Sequence, residues 1–243
     1  MIRITSDPDN KPSMNDNARQ EPPSRRSKRG RKLDPDGTRR EILREARIEF
    51  AEKGFSGARI DDIGARTKTA KRMIYYYFGN KEGLYVAALE QAYADIRAME
   101  TTLELDHLSP ELAMCRLVDF TFDYEQENTD FVRIISSENM NYAQYLKQSR
   151  NVKELNSNIL DSVSRILERG YAEGAFRRKL RPLDLHLMII SLCYYRVSNM
   201  HTFSVIFDCD LTDAETSERH KKMIRNTILC YLCSDDEHPG TDA

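Results

Sequence analysis

The chain has 243 residues, with 37 Lys and Arg against 39 Asp and Glu, 40% apolar residues, 9% aromatic residues and no Trp. Length and apolar fraction allow one large or two modest domains around a sizeable core, and the longest nearly uncharged apolar stretch, Leu185 to Tyr195, is about half of the ~20 residues a membrane span needs. The opening residues lack the apolar segment of a secretory signal, and five cysteines without regular spacing point to a reducing cytoplasm rather than a disulfide framework.

Residues 1–37 read as a disordered arm, rich in Pro, Asn, Asp and Ser and poor in apolar side chains. Within it, 25–32 carries six positive charges and no negative one. The segment from Ser24 to Lys81 holds 17 Lys and Arg against 8 Asp and Glu, a local balance of +9, while the remainder stands at −11. One end of the chain is suited to a polyanion and the other is not. The arm is either a solvated tail or a strand of cations that follows phosphates or enters a minor groove.

Regular structure is expected from Thr38, where Thr38-Arg39-Arg40-Glu41 has capping-box spacing. Ile42, Leu43, Ala46, Phe50 and Ala51 then recur at helical spacing as far as Gly54. A short second helix spans about Ile60 to Arg66, with Asp61 and Asp62 near its positive end. After a turn at Thr67-Lys68-Thr69, a third runs from about Ala70 to Phe78, and Lys81 opens a longer one to about Met99. Further helices are predicted over about 110–127, 130–140, 150–173, 182–200 and 213–233. Ser109-Pro110 starts the first of these, Gly174 ends the third, and Thr212 to Glu215 form a capping box for the last. From Ser234 the chain reads as a frayed tail. There are no internal repeats and no convincing alternating strands. The fold class is all-α: a three-helix unit over 38–85 followed by a larger helical domain over 86–233.

Two short amphipathic helices joined by a tight turn in a basic segment suggest a helix-turn-helix. On the third helix, Lys71 and Tyr75 are four apart, as are Arg72 and Tyr76, so all four share one broad face. Ile74 and Phe78 lie on another face, free to pack on Ile42, Phe50 and Ile63. A helix in a major groove needs such a division, since Arg donates in a fork to guanine while Lys and Tyr hold phosphates.

Phe55-Ser56-Gly57, Ile60-Asp61-Asp62-Ile63 and the run from Lys71 through Tyr75-Tyr76-Tyr77-Phe78-Gly79-Asn80-Lys81-Glu82-Gly83-Leu84-Tyr85 resemble the N-terminal DNA-binding domain of TetR-family regulators. The resemblance covers about 38–85. It implies that Lys71, Arg72 and Tyr75 approach bases, that Tyr76 and Lys81 hold phosphates, and that Thr38, Arg59 and Thr69 contact the DNA backbone. Where the family usually has Gly in the turn, this chain has Lys68; Ala58 and Ala70 replace the usual Thr and Ser. The two lost hydroxyls leave phosphate contacts to be supplied by Arg59 or Lys68.

The resemblance further implies a helical domain that holds a small-molecule effector and pairs two subunits through its last two helices. Candidate ligand residues are Phe120, Tyr124, Met140, Tyr142, Tyr195 and His201, with Asn139 and Asn141 beside Met140; the competing reading is ordinary aromatic core. Around Phe131–Tyr142 and Tyr194–Phe203 the chain faintly resembles the RutR-like branch, whose ligand is a pyrimidine. Candidate dimer residues are Leu185, Met188, Ile189 and Leu192, with Ile224, Ile228, Tyr231 and Leu232; the alternative is core within one chain.

No nucleophile-elbow, P-loop, zinc-protease or dinucleotide pattern is present, so the sequence argues against an enzyme and calls for no cofactor. Cys230-x-x-Cys233 has no second pair or His at ligand spacing, and no metal is expected. The expected function is a cytoplasmic, dimeric, ligand-responsive transcriptional regulator, a repressor by family precedent, with double-stranded DNA and a small effector as partners and no membrane association. The alternative is a DNA-binding protein without a ligand, either architectural or controlled by a protein partner.

Overall fold

The structure, a computed structural model, describes residues 34–235, and every regular element among them is helical. Helices α1 (Pro35–Gly57), α2 (Ile60–Thr67), α3 (Lys71–Phe78) and α4 (Lys81–Glu100) come first. They are followed by α5 (Pro110–Glu127), α6 (Thr129–Met140), α7 (Val152–Leu155), α8 (Ser157–Ala172), α9 (Pro182–Ser198), α10 (Met200–Phe207) and α11 (Ala214–Cys233). No described helix is long and apolar enough to cross a membrane.

The first helix begins earlier than Thr38. Asp34 caps it, accepting from the Gly37 amide at 3.0 Å, and Pro35 occupies the first turn, where a missing N–H costs nothing. The Thr38 hydroxyl instead donates to the Asp34 carbonyl, so the Thr38–Glu41 capping box does not form. Likewise α11 is capped by Asp213, which accepts from the Thr216 amide at 2.9 Å, rather than by Thr212. In both places a carboxylate is available at the better position, and it wins over the hydroxyl. The expected boundary of the arm therefore moves: Asp34 caps α1 and 35–37 belong to it, and the basic run at 25–32 lies outside the described residues. At the other end, Asp235 takes the Arg177 guanidinium at 3.1 Å, while 236–243 lie outside them.

Gly54, at φ +66°, breaks α1 before its last turn. That left-handed backbone suits glycine, and it lets Phe55 turn back onto Tyr85 and Tyr145, with ring centroids 5.2 and 4.3 Å away. Ile42, Leu43, Ala46, Phe50, Ile63, Ile74, Leu84 and Leu89 are 0–2% exposed and form the core of the first four helices. Burying such a side chain contributes roughly 1.5–3 kcal/mol. Ile134 of α6 belongs to the same core, so the unit formed by the first helices is packed onto the body rather than tethered to it.

A second core joins α5, α8, α9 and α11 through Leu117, Phe122, Val163, Ile166, Leu185, Ile189, Ile228 and Leu232. A third, richer in rings, gathers Ala92, Ile96, Tyr124, Phe131, Val132 and Val197, with Tyr93, Phe120 and Tyr194 against it. The predicted helix at 150–173 is two elements, α7 and α8, divided at Asn156. The 182–200 helix ends at Ser198, and α10 follows it without being anticipated: its eight residues, MHTFSVIF, are too few to show a helical repeat, and no side chain caps its start.

Candidate nucleic-acid interface

The turn between α2 and α3 is built without the expected glycine. Lys68 itself takes the left-handed conformation, at φ +52°, and the amides of Lys68 and Thr69 close onto the carbonyls of Ala65 and Gly64. Gly64 is the residue whose bareness matters here: a Cβ on it would lie 2.9 Å from the Thr69 carbonyl oxygen. Thr69 is half-buried and spends its hydroxyl on the Thr67 carbonyl.

The hydroxyl missing at Ala58 has a replacement from another helix. Glu49 of α1 is fully buried and accepts from the Arg59 amide at 3.1 Å, from Arg66 at 2.7 Å and from Lys53 at 2.9 Å. Burial alone would raise its pKa, but these three donors outweigh it and hold the carboxyl below its ordinary range. A negative charge thus sits at the N-terminal end of α2, where the helix dipole favours it. Helical spacing pairs Glu49 with Lys53 four residues on, but it does not point to the α2 partners Arg59 and Arg66, which lie 10 and 17 residues away.

At the N-terminus of α3, Ala70 supplies no side-chain cap. The helix buries Ile74, packs Phe78 inward, and leaves Lys71, Arg72, Tyr75 and Tyr76 exposed together. Tyr76 is 78% exposed and Tyr75 39%, whereas Tyr77 packs against the first core. Lys71 is held by Asp61 of α2 at 2.9 Å, which raises its pKa and keeps it a cation. Lys81 bonds the Ser56 carbonyl at 3.3 Å and lies 4.9 Å from the Phe55 ring centroid. The α4 cap beside it is Asn80, accepting from the Gly83 amide at 2.7 Å. Arg59 and Lys68 are exposed at the two ends of α2, while Thr38 is half-buried in the first turn of α1.

The ligand candidates do not converge. Tyr124 is buried, and its ring centroid is 5.7 Å from those of both Phe120 and Phe131. Met140 and Tyr142 are 78% and 85% exposed at the end of α6, and His201 is exposed on α10. Met140 ends α6 and Tyr142 follows it, while His201 lies in the first turn of α10, and at both places the side chains stand in solvent. Tyr195 borders a separate cleft of about 170 Å³ with Leu192, Phe203, Leu211, His220 and Met223.

Of the dimer candidates, Leu185, Ile189, Ile224, Ile228 and Leu232 fill the chain's own second core. Met188 packs beside it, and Leu192 and Tyr231 remain exposed. The apolar stripes were real, but α9 and α11 turn them towards α5 and α8. Their outer sides carry a different set, Leu183, Leu187, Tyr195 and Met223, each more than half exposed. Arg196 ties this body together, donating to Gln126 at 2.6 Å, to Ser217 at 3.1 Å and to the Leu211 carbonyl. Among the described residues no cluster of three or more His, Cys, Asp or Glu side chains could hold a metal ion, and Cys230 and Cys233 are free thiols.

Comparison with known proteins agrees with this fold. The family model for bacterial regulatory proteins of the tetR family matches residues 42–88, and the tetracyclin repressor-like C-terminal domain matches 110–228. The chain is 39% identical over 180 residues to the HTH-type transcriptional repressor NicS of Pseudomonas putida, covering 74% of this chain and 85% of that protein. It is 22% identical over 182 residues to the HTH-type transcriptional activator FasR of Mycolicibacterium smegmatis, covering 73% and 80%. In fold it is similar to a tetR-family regulatory protein from Rhodococcus RHA1, with a TM-score of 0.63 and 17% identity over 82% of this chain and 98% of that one. A TetR-family regulator from Mesorhizobium loti gives 0.60 and 15% identity over 82% and 97%.

Proposed function

The chain belongs to the TetR family of bacterial transcriptional regulators, and from that premise we propose that it is a homodimeric repressor, released from an inverted-repeat operator by a small effector. It is a regulator rather than an enzyme, as the family and its named relatives indicate. The observation that carries the DNA-reading part is the division of α3: Ile74 is buried, while Lys71, Arg72, Tyr75 and Tyr76 stand exposed together. Arg72 reads a base, Lys71 and Tyr75 approach the groove floor, and Tyr76, Lys81, Arg59 and Lys68 hold phosphates. Thr38 and Thr69 lie at the margin of this surface. The basic arm adds further phosphate contacts.

Pairing uses the outer sides of α9 and α11, where Leu187, Leu192, Tyr195, Met223 and Tyr231 are exposed. A two-fold axis there sets the two α3 helices about 34–36 Å apart or a multiple of it. The effector lies in the ring-rich third core and favours a dimer with the wrong spacing, which needs about 1–3 kcal/mol of coupling. Repression rather than activation is favoured by the NicS relative. A soluble cytoplasmic location follows from action on DNA.

Fluorescence anisotropy on DNA flanking the gene, across a salt series and with Arg72→Ala alongside, tests this reading. Preference over scrambled DNA that falls by ~1–3 kcal/mol in the variant supports it. Equal binding to both DNAs, with the variant changing overall affinity alone, favours a ligand-independent architectural protein.

A further inference from the structure

We propose that the loop following α6, residues 141–151, is a second phosphate-holding surface, with Lys147 and Arg150 gripping the DNA backbone beside the contact assigned to Lys81; this rests on the DNA-reading proposal above. Outside Ser24–Lys81 the chain is acidic, yet 139–153 contains three cations, Lys147, Arg150 and Lys153, and no acid. All three are exposed, and none makes an ion pair among the described residues. Many other cations of the body are answered locally. Arg177 meets Asp235 at 3.1 Å and Arg181 meets Asp184 at 2.6 Å, while Lys221 and Arg225 are held by Asp123 and Asp119 at 3.0 and 2.7 Å. Solvated cations without a counter-charge are free to replace the counterions of a polyanion.

The loop's own aromatic residue fixes it at the end of the body nearest α3 and the start of α4. The Tyr145 ring lies 4.3 Å from that of Phe55 and 5.2 Å from that of Tyr85. The Lys81 ammonium lies 4.9 Å from the same Phe55 ring, and Leu146 packs on the core of the first helices. From there the chain follows α4, and Ser149 donates to Glu90 at 2.6 Å. Glu90 is nine residues from Lys81, which is about 13 Å along the helix. Lys147 stands between these two anchors and Arg150 just past the second. A DNA strand carries one phosphate per about 3.4 Å of axis, so a span of that length faces several.

The loop is also held in shape before any partner arrives. Glu138, buried near the end of α6, accepts from the Tyr145 and Leu146 amides at 2.9 and 2.8 Å. The Ser149 hydroxyl accepts from the Asn151 and Val152 amides at 3.2 and 3.1 Å. Tyr142 and Ala143 take left-handed backbone in succession, at φ +57° and +54°, a conformation their side chains disfavour and the surrounding contacts maintain. A pre-shaped loop pays little ordering cost on binding. The bordering acids leave the patch positive. Glu138 is buried and Glu90 is taken by Ser149, while Glu82 sits in the first turn of α4, where the helix end favours it.

The test is anisotropy on DNA flanking the gene and on scrambled DNA, across a salt series, with Lys147→Gln and Arg150→Gln combined in the full-length protein. A control pair, Arg116→Gln with Lys179→Gln, removes the same charge from exposed positions beside the second core. The loop pair is expected to lower the slope of log affinity against log salt by about 1 per cation at each half-site. Preference for the flanking DNA stays as in wild type, because phosphate contacts carry no sequence information. The control pair keeps the wild-type slope, and melting temperatures confirm that both pairs are folded. An unchanged slope in the loop pair overturns the surface and leaves a protein partner for these cations. An equal fall in the control pair overturns it too, as an effect of overall charge. Wild type without preference for the flanking DNA sinks the DNA-reading proposal instead, and the slopes on scrambled DNA still judge the loop.

Discussion

Arg47 of α1 and Asp130 of α6 lie 83 residues apart in the chain and are joined by a 2.6 Å bond from Nε to the carboxylate. The same guanidinium donates through Nη1 to Asp95 of α4 at 2.9 Å. One largely buried cation therefore fastens the helix that supports α2 and α3 to both a helix of the body and the helix shared between them.

Replacing Arg47 with Met leaves two carboxylates facing each other without their cation. We expect a loss of about 1–2 kcal/mol, read as a lower urea midpoint with an unchanged slope. Asp130→Asn alongside tests the pairing, because the two losses should be less than additive. Full additivity would show that the bond contributes nothing.

Lys68→Gly separates two roles of one residue. A side chain in the left-handed region costs about 1 kcal/mol relative to glycine, so the variant should melt at a higher temperature. If Lys68 holds a phosphate, the same change lowers the slope of log affinity against log salt by about 1. A more stable protein with an unchanged slope assigns Lys68 to the turn alone.

Much of the DNA-reading unit was legible from the sequence because its signals are local. The 3.6-residue spacing of Ile42, Leu43, Ala46 and Phe50, and the four-residue offsets of Lys71 with Tyr75 and Arg72 with Tyr76, depend only on the helix itself. The sequence could not show which way a two-sided helix turns. Leu185, Ile189 and Ile228 formed a stripe equally suited to a second subunit or to α5, and only packing decides between them. Glu49, Arg47 and Arg97 were invisible for a related reason. Glu49 and Arg47 act through partners that the chain brings from elsewhere, and the burial of the Arg97–Glu100 pair is set by packing that its three-residue spacing does not reveal.

Glu49 should make the DNA-reading unit sensitive to acid. Its pKa is lowered on folding, so its contribution is present above the ordinary glutamate value and is lost as pH falls below it. Glu49→Gln is expected to cost about 2 kcal/mol at pH 7, with the gap to wild type closing towards pH 3. A constant gap across that range would assign the loss to shape rather than charge.

Glu125 has the opposite sign. It is 3% exposed, its Oε2 has no hydrogen-bond partner among the described residues, and burial pushes its pKa up to about 8. The folded protein holds this proton more tightly than the unfolded chain does, so stability falls as pH rises from about 4.5 to 8. Glu125→Gln should be nearly neutral at pH 4 and stabilising by something on the order of 3 kcal/mol at pH 8, measured by thermal melts at each pH. Parallel curves for the two proteins would show that Glu125 is not protonated on folding.

The position of the Arg47 clamp along α4 gives that helix a mechanical ratio. Asp95 lies five residues from Glu100 and fourteen from Lys81, which at a helical rise of 1.5 Å makes arms of about 7 and 21 Å on either side of the fastening. With Asp95 as fulcrum, a sideways push of ~1 Å at the Glu100 end becomes about 3 Å where α4 meets α3. That displacement is comparable to the length of a hydrogen bond, which is the scale on which the contacts proposed between α3 and a base would be lost.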